Sequence, residues 1–314
     1  MISFGPVPSR RLGKSLGINN IIRPKACSYS CIYCQVGKTR HPSLTRQSFF
    51  TPEQIFREVD EHLNKLRSED RPDYLTFVSN GEPTLDINLG KSIEMLKQLG
   101  IPIAVITNSS MLGDAEVRSE LMQADWVSLK VDASVADTWK KVNRPADGLK
   151  FEILLEGSKL FAHEYRGELR TETLLCKGIN DSQKDLLGIA SIIRTLAPGR
   201  AYISIPIRPP AEKSVMPPGV ETVNLAWQIF REAGIETELL TGFEGVDTGF
   251  TGNIYEDILN ITAVHPLRED ALMELLAKNG ADFSTVESLL SQRLIKCSVY
   301  QDRKFYLRDF QADN

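Results

Sequence analysis

Residues 74–85, YLTFVSNGEPTL, decide the fold. The first half, 74–79, is aromatic and β-branched, as a strand prefers. The second half opens with Asn80 and Gly81 and reaches Pro83, residues that mark a turn and end the strand. A helical pattern follows around 89–99. A strand that gives way to a polar loop and then a helix is half of a βαβ unit. The same order of signals recurs downstream. Further β-rich runs stand at 103–107 (IAVIT), 126–131 (WVSLKV), 169–176 (LRTETLLC), 202–207 (YISIPI) and 237–241 (TELLT). Helical patterns separate them around 114–123, 148–162, 182–196 and 220–233. Upstream, a first strand is expected near 16–22 and a helix over 51–67. That helix opens on Thr51, Pro52 and Gln54, the spacing of a capping box with proline in the first turn.

Strands alternating with helices imply parallel pairing and right-handed crossovers. Several of the runs are apolar throughout, as strands covered on both faces require. About six β/α units predict a parallel (β/α) partial barrel, with an open doubly wound sheet as the alternative. Polar and glycine residues gather just after the strand ends: SNGEP at 79–83, TNSS at 107–110, KGIND at 177–181 and IRPP at 207–210. Ligands of α/β folds bind at that end of the strands, so these loops are expected on one face.

After about residue 262 the rhythm changes. One helix is expected over 265–280 and another over 284–293, with Ser284 and Glu287 as a capping box. LIKCSV and KFYLR then flank a YQDR turn as a hairpin. Helices followed by a hairpin suggest a small winged-helix-like domain at 262–314, after a barrel domain at 1–261. From Arg268 onward seven basic residues face eight acidic ones, so packing or substrate docking is favoured over nucleic-acid binding.

The chain has 314 residues, 42% of them hydrophobic and 25% charged, which suits a globular protein with a full core. No apolar run approaches the ~20 residues of a membrane helix. The opening residues lack the apolar centre of a signal peptide, and a cytoplasmic location is expected. Residues 1–50 contain no Asp or Glu but eight Lys and Arg, within a chain of net charge −4. Such a segment either favours anionic ligands or fastens to the acidic remainder. Arg10 and Arg11, between Pro8 and Gly13, are expected in a turn, where a guanidinium can meet a substrate carboxylate or phosphate.

Three of the five cysteines lie in residues 27–34, CSYSCIYC: Cys27, Cys31 and Cys34. Reduced, clustered thiols point to a metal or to catalysis. A structural zinc site uses four ligands, and no second pair with zinc spacing is present. Three thiolates suit a [4Fe–4S] cluster that leaves one iron open to another ligand. A zinc-stabilised winged-helix regulator is the non-enzymatic alternative.

The C-x3-C-x2-C spacing, with Tyr33 before the last cysteine and GEP downstream, resembles the radical S-adenosylmethionine (SAM) superfamily. The resemblance implies one [4Fe–4S] cluster, SAM bound at its open iron, and a one-electron donor such as flavodoxin or ferredoxin. It implies reductive cleavage of SAM to a 5′-deoxyadenosyl radical that abstracts hydrogen from substrate. It assigns Tyr33 to the adenine and Gly81, Glu82 and Pro83 to the methionyl group. Asn108 and Ser109 either meet the ribose or carboxylate or cap a helix. Ser128, Lys130 and Asp132 share one strand face by period two, and the resemblance gives that face the same ligand. The full chain resembles a prokaryotic group related to wyosine-type tRNA-base synthases. Those carry a second cysteine set, whereas only Cys176 and Cys297 remain here, so a single cluster is expected. Two substrate classes follow: a nucleoside, RNA or other phosphorylated compound, or a protein or peptide.

Overall fold

The structure is a computed structural model that describes residues 2–21, 24–242, 245 and 251–309. It opens with an antiparallel hairpin of β1 (Ser3–Ser9) and β2 (Gly13–Ile18), turning at residues 10–12. This corrects the expected first strand. Strand β2 ends at Ile18, Ile22 lies outside the described residues, and a further strand precedes it. Pro6 and Pro8 hid β1 from the sequence reading. They are tolerated because β1 is an edge strand, where a missing N–H breaks no ladder.

Seven strands then pair in parallel in sequence order: β2, β3 (Tyr74–Phe77), β4 (Ile103–Thr107), β5 (Trp126–Lys130), β6 (Glu168–Leu174), β7 (Arg200–Ser204) and β8 (Thr237–Leu240). The crossovers carry α1 (Pro52–Leu63), α2 (Leu89–Leu96), α3 (Ala115–Leu121), then α4 (Ala136–Asn143) with α5 (Phe151–Glu164), α6 (Gln183–Leu196) and α7 (Val220–Glu232). The predicted capping box forms at the start of α1, with Thr51 and Gln54 each bonded to the other's backbone. α4 had no counterpart in the sequence reading.

The eight strands make a mostly parallel sheet curled into a half-barrel. Arg10, in the hairpin turn, reaches from the β1 side to β8, donating to the Leu239 carbonyl at 2.7 Å. The outer face buries Leu16, Leu75, Val105 and Val127 against Ile55, Val59, Leu89 and Ile93 of α1 and α2. Each such buried side chain contributes roughly 1.5–3 kcal/mol. The inner face changes character along its length. Leu12, Ala104, Trp126, Tyr202 and Leu240 form an apolar cluster on it. Lys130, Glu172 and Ser204 share the inner parity of the pleat, toward the C-terminal ends of β5, β6 and β7.

The C-terminal part runs α8 (Ile254–Val264), β9 (Leu267–Arg268), α9 (Glu269–Lys278), α10 (Ser284–Ser291), β10 (Ile295–Tyr300) and β11 (Arg303–Arg308). Its small antiparallel sheet has the order β10-β11-β9. The predicted hairpin forms, with Gln301 and Asp302 at positive φ in its turn. The single helix expected over 265–280 does not. Pro266 disfavours helical backbone at His265, which is extended, and β9 intervenes before α9. The Ser284/Glu287 capping box is also absent. Ser284 is the first helical residue, and its N–H donates to Asp282 Oδ1 at 2.9 Å. α8 runs through residues 261 and 262, so a division there cuts a helix. Val7 of β1 packs in the same core as Ile258, Leu272 and Leu289. Among the described residues no helix is long and apolar enough to cross a membrane.

Candidate functional site

The cysteine segment leaves β2 and lies across the C-terminal ends of the strands, held from two sides. On one side Ala26 pairs with Gly81 in a parallel bridge, and the Glu82 N–H donates to the Ala26 carbonyl at 3.0 Å. A Cβ at position 81 would overlap that carbonyl oxygen, so only glycine lets the two loops meet. On the other side the Ser30 N–H donates to the Asn143 carbonyl and the Ile32 N–H to the Val142 carbonyl, both at 3.0 Å. These acceptors end α4. Trp139 of α4 donates to the Tyr29 hydroxyl at 3.0 Å beneath the segment.

Each of the three sulfurs faces an N–H donor. Cys27 Sγ accepts from the Tyr29 N–H at 3.5 Å and from Asn108 Nδ2 at 3.6 Å. Cys31 Sγ accepts from Asn143 Nδ2 at 3.4 Å, and Cys34 Sγ from Lys25 Nζ at 3.1 Å. As free thiols Cys27 and Cys31 resist ionisation: burial pushes Cys27 up to about 12 and Cys31 up as well. Three sulfurs on one segment, with donors aimed at them, fit thiolates that ionise on binding a cationic iron–sulfur centre. Cys176 is buried beside Ile32 and Val215, and Cys297 is exposed on β10.

Glu82 does something the sequence did not reveal. Its carboxylate is 1% exposed and turned inward. It accepts from Thr84 Oγ1 and Thr107 Oγ1, both at 2.7 Å, from the Asn108 N–H at 2.7 Å and from the Thr84 N–H at 3.1 Å. These four donors tie the loop after β3 to the loop after β4. The Asn80 Oδ1 is buried without a partner beside Gly81, an acceptor suited to an ammonium group. The Pro83 carbonyl accepts from Asn20 Nδ2 at 3.1 Å.

Asn108 and Ser109 do not cap a helix. Asn108 Nδ2 also donates to Ser28 Oγ at 2.9 Å, and Ser109 Oγ accepts from the Lys130 N–H at 3.0 Å. The loop after β4 thereby joins the cysteine segment to β5.

Inside the mouth lies a charged network. Lys130 Nζ stands 3.0 Å from Glu172 Oε1, 3.8 Å from Asp132 Oδ1 and 5.2 Å from the centre of the Tyr33 ring. Burial disfavours its charge, but Asp132 and Glu172 outweigh that and raise its pKa. Glu172, also penalised by burial, is held well below the usual carboxylate range by Lys130 and Arg11. The Ser204 hydroxyl donates to it at 2.8 Å. Tyr33 donates its hydroxyl hydrogen to Asp132 Oδ2, which also accepts from Asn143 Nδ2 at 2.9 Å. Ser128 is buried on the same face of β5 as Lys130. The structure thus brings together Cys27, Cys31, Cys34, Tyr33, Asn108, Ser109, Lys130 and Asp132.

The two arginines assigned to substrate turn instead to barrel acids. Arg11 pairs with Glu172, and Arg10 stands 3.8 Å from Glu238. Other cations of the acid-free segment do likewise: Lys14 meets Asp70, Lys38 meets Glu212, and Arg46 meets Glu116 and Glu120. Much of the segment's positive charge therefore fastens it to the acidic remainder. Glu172, Asn143 and Lys25 escaped the sequence reading. Only the nearness of Lys25 to Cys27 signalled any of them.

The description of the radical SAM superfamily matches residues 21–188 of this chain. A UPF0026 protein of Methanocaldococcus jannaschii is 44% identical, covering 99% of this chain and 97% of its own. A radical SAM methyltransferase of Sphaerobacter thermophilus is similar in fold, with TM-score 0.56 and 16% identity, over 80% of this chain and 68% of that one. Streptococcus suis SuiB, solved bound to S-adenosylmethionine, is similar with TM-score 0.53 and 11% identity, over 70% of this chain and 48% of that one.

Proposed function

The chain belongs to the radical SAM superfamily and is an enzyme of that class, and from this we propose that Cys27, Cys31 and Cys34 hold one [4Fe–4S] cluster with S-adenosylmethionine beside it at the barrel mouth. The observation that carries the reading is the set of three sulfurs, each with an N–H donor, on a segment fastened to the loop of Gly81. When bound, the cluster and SAM supply a 5′-deoxyadenosyl radical that abstracts hydrogen from substrate. The protein's part is to bind, orient and exclude water. Asn80 Oδ1 and the backbone around Gly81 offer acceptors to the methionyl ammonium. Lys130 offers a cation to its carboxylate, and Tyr33, pinned by Asp132, offers a ring face to the adenine.

In our reading the substrate is anionic: a nucleoside, RNA or other phosphorylated compound. Exposed Arg40 after the cysteine segment, Lys140 and Lys141 on α4, Lys177 after β6 and Lys213 after β7 support this more than Arg10 or Arg11. A flavodoxin or ferredoxin in the cytoplasm would deliver the electron. A second reading, a protein or peptide substrate, draws on the winged-helix-like C-terminal part. Gln35, next to Cys34, donates to the Val264 carbonyl at 3.0 Å, and Tyr300 Oη donates to the Pro206 carbonyl at 3.1 Å.

Anaerobic purification with iron and sulfide analysis, followed by 5′-deoxyadenosine measurement under reducing conditions, tests the core of this. Alanine at any of the three cysteines should abolish 5′-deoxyadenosine, while Cys176→Ala and Cys297→Ala should leave the iron content unchanged. A triple alanine variant that still forms 5′-deoxyadenosine would sink the reading. Turnover of added RNA or nucleotides that falls steeply with salt supports the anionic class; salt-insensitive turnover of peptides supports the second.

A further inference from the structure

Lys25 stands two residues before Cys27 and carries an ammonium to a sulfur. Its Nζ lies 3.1 Å from Cys34 Sγ and 2.6 Å from the Gly37 carbonyl oxygen. The Gly37 N–H returns to the Cys34 carbonyl at 3.1 Å, so the lysine is fixed at both ends of the turn that carries Cys34. Cys27 and Cys31 receive their side-chain hydrogen bonds from neutral amides, those of Asn108 and Asn143. The three sulfurs are therefore not equivalent: one has a full positive charge against it, in a half-buried setting where water screens it poorly. Hydrogen bonds to ligating sulfurs, and the charge around them, set the potential of an iron–sulfur centre. A fixed cation favours the state that carries one more electron.

We propose that Lys25 is a positioning residue for electron transfer: through Cys34 its ammonium raises the reduction potential of the cluster. This rests on the reading that Cys27, Cys31 and Cys34 bind that cluster. One electron leaves a donor of the flavodoxin or ferredoxin class and one enters the cluster. Lys25 keeps its protons, and no bond to it forms or breaks. The competing role is mechanical, in which the contact to Gly37 merely holds the turn.

The experiment is a redox titration of the reconstituted full-length chain, followed by visible absorbance and electron paramagnetic resonance. Iron and sulfide are counted for each sample. Lys25→Met should hold the same iron and sulfide as the wild type. At the wild-type midpoint, its ratio of reduced to oxidised cluster should be about tenfold lower, a shift of about 59 mV toward negative values for one electron. Lys25→Gln, which keeps a donor but no charge, should also shift negatively, and Lys25→Arg should stay near wild type. An intact cluster with an unmoved midpoint in both the Met and Gln variants overturns the inference alone. If the Met variant takes up no iron, the other two decide: a Gln midpoint at the wild-type value overturns it, and a lowered Gln midpoint with an unmoved Arg one supports it. A wild-type chain that takes up no iron and sulfide overturns the cluster reading, and this inference with it.

Discussion

His62, near the end of α1, is buried between Ser3 Oγ at 2.9 Å and the Gly5 carbonyl at 3.0 Å. The carbonyl can only accept, so Nε2 carries the hydrogen and Nδ1 accepts from Ser3. Burial holds the ring's pKa below its ordinary value, and the hydrogen bond to Gly5 offsets this only in part. The folded chain therefore keeps this ring neutral at a pH where the unfolded chain already binds a proton. Stability should fall as pH drops below about 6.5, with no contribution from this group above it. Thermal melts of wild type and His62→Gln from pH 8 to 5 check this: the variant should show the shallower acid slope. At this scale the sequence was legible where chemistry is local and silent where it is not. Three cysteines in eight residues announce themselves. The inward turn of Glu82 depends on Thr107 and Asn108, more than twenty positions away, and no spacing rule reaches that far.

Among the elements, the β1–β2 hairpin carries Arg11 onto Glu172 of β6, and Glu172 in turn holds Lys130 of β5. All three side chains are largely removed from solvent, so removing the central carboxylate takes from Lys130 and Arg11 the anion they share. Glu172→Gln should cost about 3 kcal/mol, less whatever Asp132 recovers for Lys130. Urea denaturation measures it; a loss within ±0.5 kcal/mol, the usual range for a surface site, would remove Glu172 from this role. The parallel strands and six crossover helices were readable from apolar runs and helical patterns that alternate along the chain. α4 was not: in ADTWKKVN the buried face is half polar, Thr138 and Asn143 beside Trp139 and Val142. What makes it an element is its partner, the cysteine segment on Val142 and Asn143.

For the whole molecule, the C-terminal part meets the barrel at its working end. Gln35 bonds the end of α8, and the Tyr300 hydroxyl bonds the loop after β7. In Gln35→Ala combined with Tyr300→Phe, amides of β10 and β11 should exchange faster with deuterium while iron content and barrel protection stay the same. Unchanged exchange would mean that the shared core around Val7 and the contact of Arg208 with His265 hold the two parts together without them. The order of elements could be read from the sequence, but this docking could not. It rests on the core around Val7 and on polar contacts between residues more than fifty positions apart.

The apolar cluster of Leu12, Ala104, Trp126, Tyr202 and Leu240 has a kinetic meaning. It fills part of the inner face with side chains where water would otherwise stand. A ligand held beside Lys130 and Glu172 would then come and go by way of the loops at the strand ends, and spent fragments would share that route with the next molecule.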